Sequence, residues 1–166
     1  MRHIIAILLQ NEAGALTRVT GLISARGYNI ESLSVAPTND PTVSRVTLVT
    51  IGSDHVIAQI NAQLLKLVDV VAVEDMTGGD TFARELLLIK LQLSREHIES
   101  AASMLRRVSG RVLSSDPSSY IVEVAGTELE IGAFIAAIGA CGEIIEVVRS
   151  GVLGISRTNP KLHIIK

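Results

Sequence analysis

An order of apolar patterns that occurs twice constrains the fold of this 166-residue sequence more than any other feature. Strand-like and helix-like patterns follow one another as strand, helix, strand, strand, helix, strand. The order runs over residues 1–76 and starts again at residue 84. It is typical of the ferredoxin-like α+β sandwich. The sequence therefore predicts two tandem ferredoxin-like βαββαβ domains, 1–76 and 84–166, joined by a linker at 77–83.

The first copy begins with the strand pattern "RHIIAILLQ". A helix follows, because Leu16, Val19 and Ile23 recur at helical spacing, and Gly27 is placed to end it. The patterns "NIESLSVAP" and "VSRVTLVTIG" predict the two middle strands. Asp54 is predicted to cap the second helix, and "VDVVAVEDM" predicts the closing strand.

The second copy begins with the strand pattern "RELLLIKLQL", after which Ser94 is predicted to cap a helix. The patterns "GRVLSS" and "YIVEVAG" predict a hairpin. Thr127 and Glu130 have the spacing of a capping box, which predicts the start of the next helix. "EIIEVVRSGV" predicts the final strand.

The composition excludes several classes of function. The formal net charge is −2 and aromatic residues are 2% of the chain, which disfavours nucleic-acid binding. The single cysteine, Cys141, fits a reducing compartment and is interpreted as a small buried hydrophobe. No apolar run approaches the roughly 20 residues that span a bilayer. We therefore expect a soluble, cytoplasmic protein without a membrane or nucleic-acid partner.

Catalytic and metal-binding patterns are missing from the sequence. The four histidines lie in four different predicted elements, without metal-ligand spacing: His3, His55, His97 and His163. "GVLGIS" lacks the spacing of a phosphate loop, and no carboxylate cluster suggests a divalent cation. The sequence predicts no active site and no metal site.

The connection after the first strand carries the most informative residues. Gly14 stands where the first helix begins, and its bare backbone would let a ligand approach the unpaired N–H groups there. Asn11 can donate and accept hydrogen bonds to the charged ends of an amino acid, and Ala13 and Ala15 leave room for an aliphatic side chain. An alternative interpretation is purely structural: Asn11 caps the helix and Gly14 eases a turn.

The stretch "NEAGALTRVTGLISARGYNIESL" resembles the N-terminal ACT domain in the family of small, regulatory subunits of acetohydroxyacid synthase, also called acetolactate synthase. The resemblance continues through "REL-L-L-I-K" and "VVRSGV" and covers almost the whole chain. It implies a homodimer in which ACT sheets join side by side. It also implies an effector site for valine or another branched-chain amino acid between the two protomers. The residues it assigns to that site are Asn11, Ala13, Gly14, Ala15, Leu16, Asn29 and Ile30.

The same resemblance implies a chain without catalytic activity that binds and activates a catalytic large subunit and makes it sensitive to valine. Thiamine diphosphate, Mg²⁺ and FAD are then expected on the large subunit and no cofactor on this chain. Three alternatives remain open at this stage: an ACT sensor with another partner, an RNA-binding module, and an enzyme of ferredoxin-like fold. The second lacks stacking aromatics and basic residues on the central strands, and the third lacks a set of catalytic residues.

Overall fold

The computed structural model describes residues 1–78, 80–116, 119–157 and 162. The chain divides into two compact units. The first contains Met1–Ala83 together with the C-terminal residues from Val152, and the second contains Arg84–Gly151.

The first unit has the predicted βαββαβ order. Its helices are α1 (Ala15–Ser24) and α2 (Asp54–Leu64), and its sheet strands are β1 (Arg2–Gln10), β2 (Ile30–Pro37), β3 (Val43–Ile51) and β4 (Val70–Asp75). The four strands form an antiparallel sheet in the order β2-β3-β1-β4, so β2 and β4 are its edges.

Burial on both faces distinguishes the sheet of the first unit. One face packs against the helices, where Ile5 and Ile7 of β1 meet Val19 and Ile23 of α1 in the core. Residues that alternate with these on the strands are buried as well: Ala6, Leu8, Thr47 and Val49. Burial on both faces explains why the sequences of these strands are nearly continuous apolar runs.

The second unit repeats the order with one added turn. Its helices are α3 (Ile98–Arg107) and α4 (Glu128–Ile138), and its strands are β5 (Thr81–Leu93), β6 (Arg111–Asp116), β7 (Ser119–Gly126) and β8 (Gly142–Arg149). The strands pair in the order β6-β7-β5-β8. Leu87, Ile89 and Leu91 of β5 pack against Ile131 and Phe134 of α4 in the core. The predicted α+β class with two ferredoxin-like units is confirmed.

The structure tests three predictions about which residues cap the helices. One is confirmed and two are corrected. The capping box is present, because Thr127 N donates to Glu130 Oε2 at 2.7 Å and Glu130 N donates to Thr127 Oγ1 at 3.3 Å. Asp54 does not cap α2; it is the first helical residue, and Ser53 is the N-cap. Ser94 does not cap α3 either, because a short 3₁₀ helix at Arg95–His97 intervenes.

The end of the chain departs from the predicted domain division. The predicted last strand is split, because β8 ends at Arg149, Gly151 takes a φ of 74°, and a new strand, β9 (Leu153–Ser156), follows. β9 pairs with β5, whose residues 81–83 belong to the first unit. β9 is grouped with the first unit too, where the guanidinium of Arg45 donates to the carbonyl of Gly154 at 2.9 Å.

The predicted domain 84–166 thus differs from the observed unit from Val152 onward, and most of its residues after 157 lie outside the described ones. The predicted linker 77–83 is shorter in the structure, because β5 already begins at Thr81.

Candidate effector-binding loop

The connection between β1 and α1, residues 11–14, is fixed to the rest of the first unit at its start. The N–H of Gln10 donates to the carbonyl of Asp69 at 2.8 Å, and the N–H of Asn11 donates to the carbonyl of Thr42 at 2.8 Å. These two hydrogen bonds fix the direction in which the loop leaves the sheet, although residues 11–14 are exposed.

Asn11 does not cap the first helix. Its side-chain Nδ2 donates to the carbonyl of Pro41 at 3.0 Å, which ties the loop to the turn between β2 and β3. The N-cap of α1 is Gly14, and no side chain accepts a hydrogen bond from the start of the helix. The interpretation of Asn11 as a helix cap is therefore wrong.

Gly14 occupies a backbone conformation that other residues avoid. Its φ is 85° and its ψ −12°, in the left-handed region. A Cβ built at this position would lie 3.2 Å from Nη1 of Arg18. No acidic residue stands in the first turn of α1 either. The N–H of Ala15 donates to the carbonyl of Glu12 at 3.2 Å. The helix thus begins with neither a side-chain cap nor an acidic residue in its first turn, so the N–H groups that follow Ala15 have no capping side chain.

The remaining predicted residues of the loop face different surroundings. Ala13 is exposed, whereas Ala15 is 1% exposed and its side chain lies in the core. Leu16 is half-buried and packs against the same core. The side chain of Ala15 is therefore not accessible to a ligand within one protomer, and its N–H donates to the carbonyl of Glu12 at 3.2 Å.

Asn29 and Ile30 lie at the other end of the sheet from the loop. Ile30 pairs with Thr50, and Thr50 pairs with His3, whereas Gln10 pairs with Val43. His3 and Gln10 are seven positions apart on β1, which corresponds to about 24 Å at about 3.4 Å per residue. One chain alone does not bring the two predicted groups together.

An ion pair that the sequence analysis missed lies beside the loop. The Nε of Arg18 donates to the carboxylate of Asp69, whose side chain is 6% exposed against 48% for that of Arg18. This hydrogen bond lowers the pKa of Asp69 and raises the pKa of Arg18. Arg18 lies one helical turn after Gly14, so its place beside the loop could have been predicted from the sequence. The sequence gives no such signal for Asp69, because 51 residues separate it from Arg18.

The isolated histidine and cysteine side chains lie in different surroundings. Among residues 1–78, 80–116, 119–157 and 162, no three His, Cys, Asp or Glu side chains are placed to hold a metal ion. His3 is buried at the start of β1, with Nδ1 3.2 Å from Oγ1 of Thr77. Cys141 is buried with Sγ 3.9 Å from Sδ of Met104, which fits a small core residue. His163 lies outside the described residues.

A helix long and apolar enough to cross a membrane is not found in the described part of the chain.

Family models match both units. Residues 5–72 match the AHAS small subunit-like ACT domain, where AHAS stands for acetohydroxyacid synthase, which places the first unit in the class of ACT domains. Residues 84–158 match the small subunit of acetolactate synthase. The chain therefore belongs to the family of acetolactate synthase small subunits. Membership defines a regulatory subunit and implies a catalytic large subunit as its partner.

This chain aligns with relatives and with a solved structure over nearly its full length. The chain is 48% identical over 160 residues to the acetolactate synthase isozyme 3 small subunit of Escherichia coli K12, covering 95% of this chain and 96% of the relative. It is 37% identical over 161 residues to the probable acetolactate synthase small subunit of Archaeoglobus fulgidus, covering 97% and 100%. The crystal structure of the Thermotoga maritima acetolactate synthase small subunit aligns with a TM-score of 0.88 at 28% identity, covering 96% and 99%.

Proposed function

We propose that this chain activates the catalytic subunit of acetolactate synthase and makes it sensitive to feedback inhibition by valine or another branched-chain amino acid. The observation that carries the proposal is the start of α1, where Gly14 opens the helix without a side-chain cap. The residues around it belong to the stretch that matches the ACT-domain model.

An amino acid's carboxylate complements this helix start. Backbone N–H groups of the first turn point out of the helix, and the helix dipole favours negative charge there by about 0.3–2 kcal/mol. Gly14 removes the Cβ that would otherwise restrict the approach of a ligand. Asn11 anchors the loop through Nδ2, and its exposed side chain stands next to the space the ligand would occupy.

A homodimer would complete the site. β2 is an edge strand, and Val35 on it is 41% exposed. Two β2 strands paired antiparallel about a two-fold axis would bring the start of one, at Ile30, beside the end of the other, at Pro37. Pro37 pairs with Ser44 at the same end of the sheet as the loop. The partner's Asn29 and Ile30 would then lie at the end of the sheet where Asn11 and Gly14 lie.

Regulation follows from an effector that bridges two protomers. Valine binds better to the dimer arrangement that closes the site, and the catalytic subunit reads that arrangement through its contact surface. A coupling free energy of about 1–3 kcal/mol is enough for this effect. Thiamine diphosphate, Mg²⁺ and FAD are assigned to the catalytic partner, and the complex to the cytoplasm.

The test is a titration of this chain into its cognate catalytic subunit, with acetolactate formation from pyruvate followed with and without valine. Activation that valine reverses is the expected result. Activation without valine sensitivity would contradict the effector assignment and keep the partner. If no activation occurs, the chain is an amino-acid sensor for a different partner.

A further inference from the structure

We propose that Arg18 and Asp69 are positioning residues that hold the loop of residues 11–14 in its ligand-binding shape. The inference rests on the proposed function, because it concerns the same site. Neither residue belongs to the stretch assigned by resemblance to ligand contact.

Asp69 contacts the chain on both sides of the loop. Its backbone carbonyl accepts from the N–H of Gln10 at 2.8 Å, immediately before the loop. Its carboxylate accepts from Nε of Arg18, one turn after the loop. A single residue between α2 and β4 therefore fixes where the loop begins and where the first turn of α1 ends.

Arg18 limits the position of Gly14 from one side. Nη1 of Arg18 lies 3.2 Å from the point that a Cβ of Gly14 would occupy, so the guanidinium covers that face of the glycine. Because Nε is held by Asp69, the guanidinium cannot swing away without breaking the ion pair. A left-handed glycine has many alternative conformations, and the guanidinium removes those that would move Gly14 towards it.

The pair is asymmetric in its exposure to solvent. The carboxylate of Asp69 is buried, whereas the guanidinium of Arg18 is half exposed beside the open start of α1. The guanidinium therefore also lies beside the region in which an effector carboxylate would bind, and its charge is balanced there by Asp69 and by Glu12 of the loop.

The variants Arg18→Gln and Asp69→Asn test the proposal, with Arg111→Gln as the matched control. Arg111 forms a comparable ion pair with Glu123 at 2.5 Å in the second unit, away from the loop. Valine dissociation constants are measured by calorimetry on the full chain, and activation of the catalytic subunit is measured in parallel. We expect each of the first two variants to bind valine about tenfold to a hundredfold more weakly, the range typical of residues that orient a binding group.

Activation separates a positioning role from a merely structural one. The first two variants should still activate the catalytic subunit, and Arg111→Gln should keep wild-type valine affinity. Arg18→Lys keeps the charge but not the planar guanidinium, so its affinity should fall between those of the wild type and Arg18→Gln. Loss of activation together with valine binding, in Arg18→Lys as well as Arg18→Gln, would overturn the proposal.

The pH dependence of unfolding provides a second readout. The folded chain lowers the pKa of Asp69, so the pair stabilises the fold fully above about pH 3.9, the ordinary aspartate value. That contribution is lost as the pH falls through the lower folded pKa. The difference in Tm between wild type and Arg18→Gln should therefore keep its full size from pH 7 down to about pH 4 and narrow only at lower pH, as Asp69 becomes protonated in the folded chain. A difference independent of pH would contradict an ionic pair.

Wild-type binding separates failure of the inference from failure of the proposed function. If the wild-type chain binds valine and both Arg18→Gln and Asp69→Asn bind it within about twofold of wild type, the positioning role is wrong and the effector site stands. If the wild-type chain does not bind valine at all, the proposed function is wrong, and the positioning role falls with it.

Discussion

The two units share a topology but differ at the connection between their first strand and first helix. In the first unit this connection is an exposed loop that ends at Gly14, with no side-chain cap on α1. In the second unit the equivalent connection is a 3₁₀ helix at Arg95–His97. There Oγ of Ser94 lies 2.8 Å from Nδ1 of His97, so the side chains at this helix start contact one another.

We infer from this difference that the fold alone would not create the proposed effector site. A βαββαβ unit offers the start of its first helix to solvent only where the preceding residues leave that helix end uncovered. In the second unit, His97 is the N-cap of α3, and Glu99 places an acidic side chain in its first turn. A carboxylate ligand would meet negative charge there, so we expect effector binding by the first unit only.

The substitution Gly14→Asp should have the largest effect on this contrast. It places a carboxylate where the effector's carboxylate is proposed to bind and forces a residue with a Cβ into a left-handed conformation. Like charges in such proximity cost several kcal/mol, so valine affinity should fall at least about a hundredfold. Calorimetry measures the loss, and the acetolactate assay should show that activation is retained.

Gly132→Asp is the matched control for that substitution. Gly132 is exposed on α4 of the second unit, and nothing lies within 4 Å of a Cβ built there. Wild-type valine affinity is expected. A comparable loss of affinity in both variants would show that the effect of Gly14→Asp is not specific to the loop.

The substitution Asn29→Ala should have the next largest effect. Its side chain is exposed within one protomer, so its loss should not disturb the fold, whereas a hydrogen bond to a charged ligand group contributes about 1.5–3 kcal/mol. We expect valine to bind about tenfold more weakly, with unchanged activation. Unchanged valine affinity in a calorimetric titration would remove Asn29 from the site.

The substitution Thr127→Ala should affect the stability of the second unit alone. It removes the side-chain oxygen that accepts from the N–H of Glu130 and leaves the backbone N–H of residue 127 free to donate to the Glu130 carboxylate. Loss of such a side-chain cap costs about 1 kcal/mol. Chemical denaturation should report the loss, and valine affinity should stay at the wild-type value. A parallel loss of valine affinity would argue against the confinement of the effector site to the first unit.

The substitution Ser94→Ala should have the smallest effect. It removes the contact with His97 at an exposed position, and surface changes of this kind stay within about 0.5 kcal/mol. Valine affinity should not change. A gain of a second valine equivalent in this variant would contradict the view that only the first unit can bind the effector.

Local patterns predicted most elements, because caps and periodicity act over a few residues. The box at Thr127 and the helical stop at Gly27, which takes a φ of 74°, are examples. The role of Asn11 was left open between cap and ligand contact, because its partner, Pro41, lies 30 residues away. β9 was not predicted for the same reason, because the carbonyl of its Gly154 accepts from Arg45, 109 residues away in the sequence. The ion pair of Arg18 with Asp69 is a third case of long-range packing that no local signal specifies.

The proposed site also requires a second copy of the chain, which no single-chain pattern reports. Asn29 and the loop at Gly14 lie at opposite ends of one sheet, about 24 Å apart at about 3.4 Å per residue. The most direct test of the account is a mixing experiment. Chains with Gly14→Asp and chains with Asn29→Ala are exchanged into mixed dimers, and valine binding is titrated by calorimetry.

In a mixed dimer, one site combines an intact loop with an intact Asn29, and the other carries both defects. Mixing should restore wild-type affinity at one valine per mixed dimer, although neither variant alone binds well. Affinity that stays as weak as in the separate variants would contradict a site shared between two protomers.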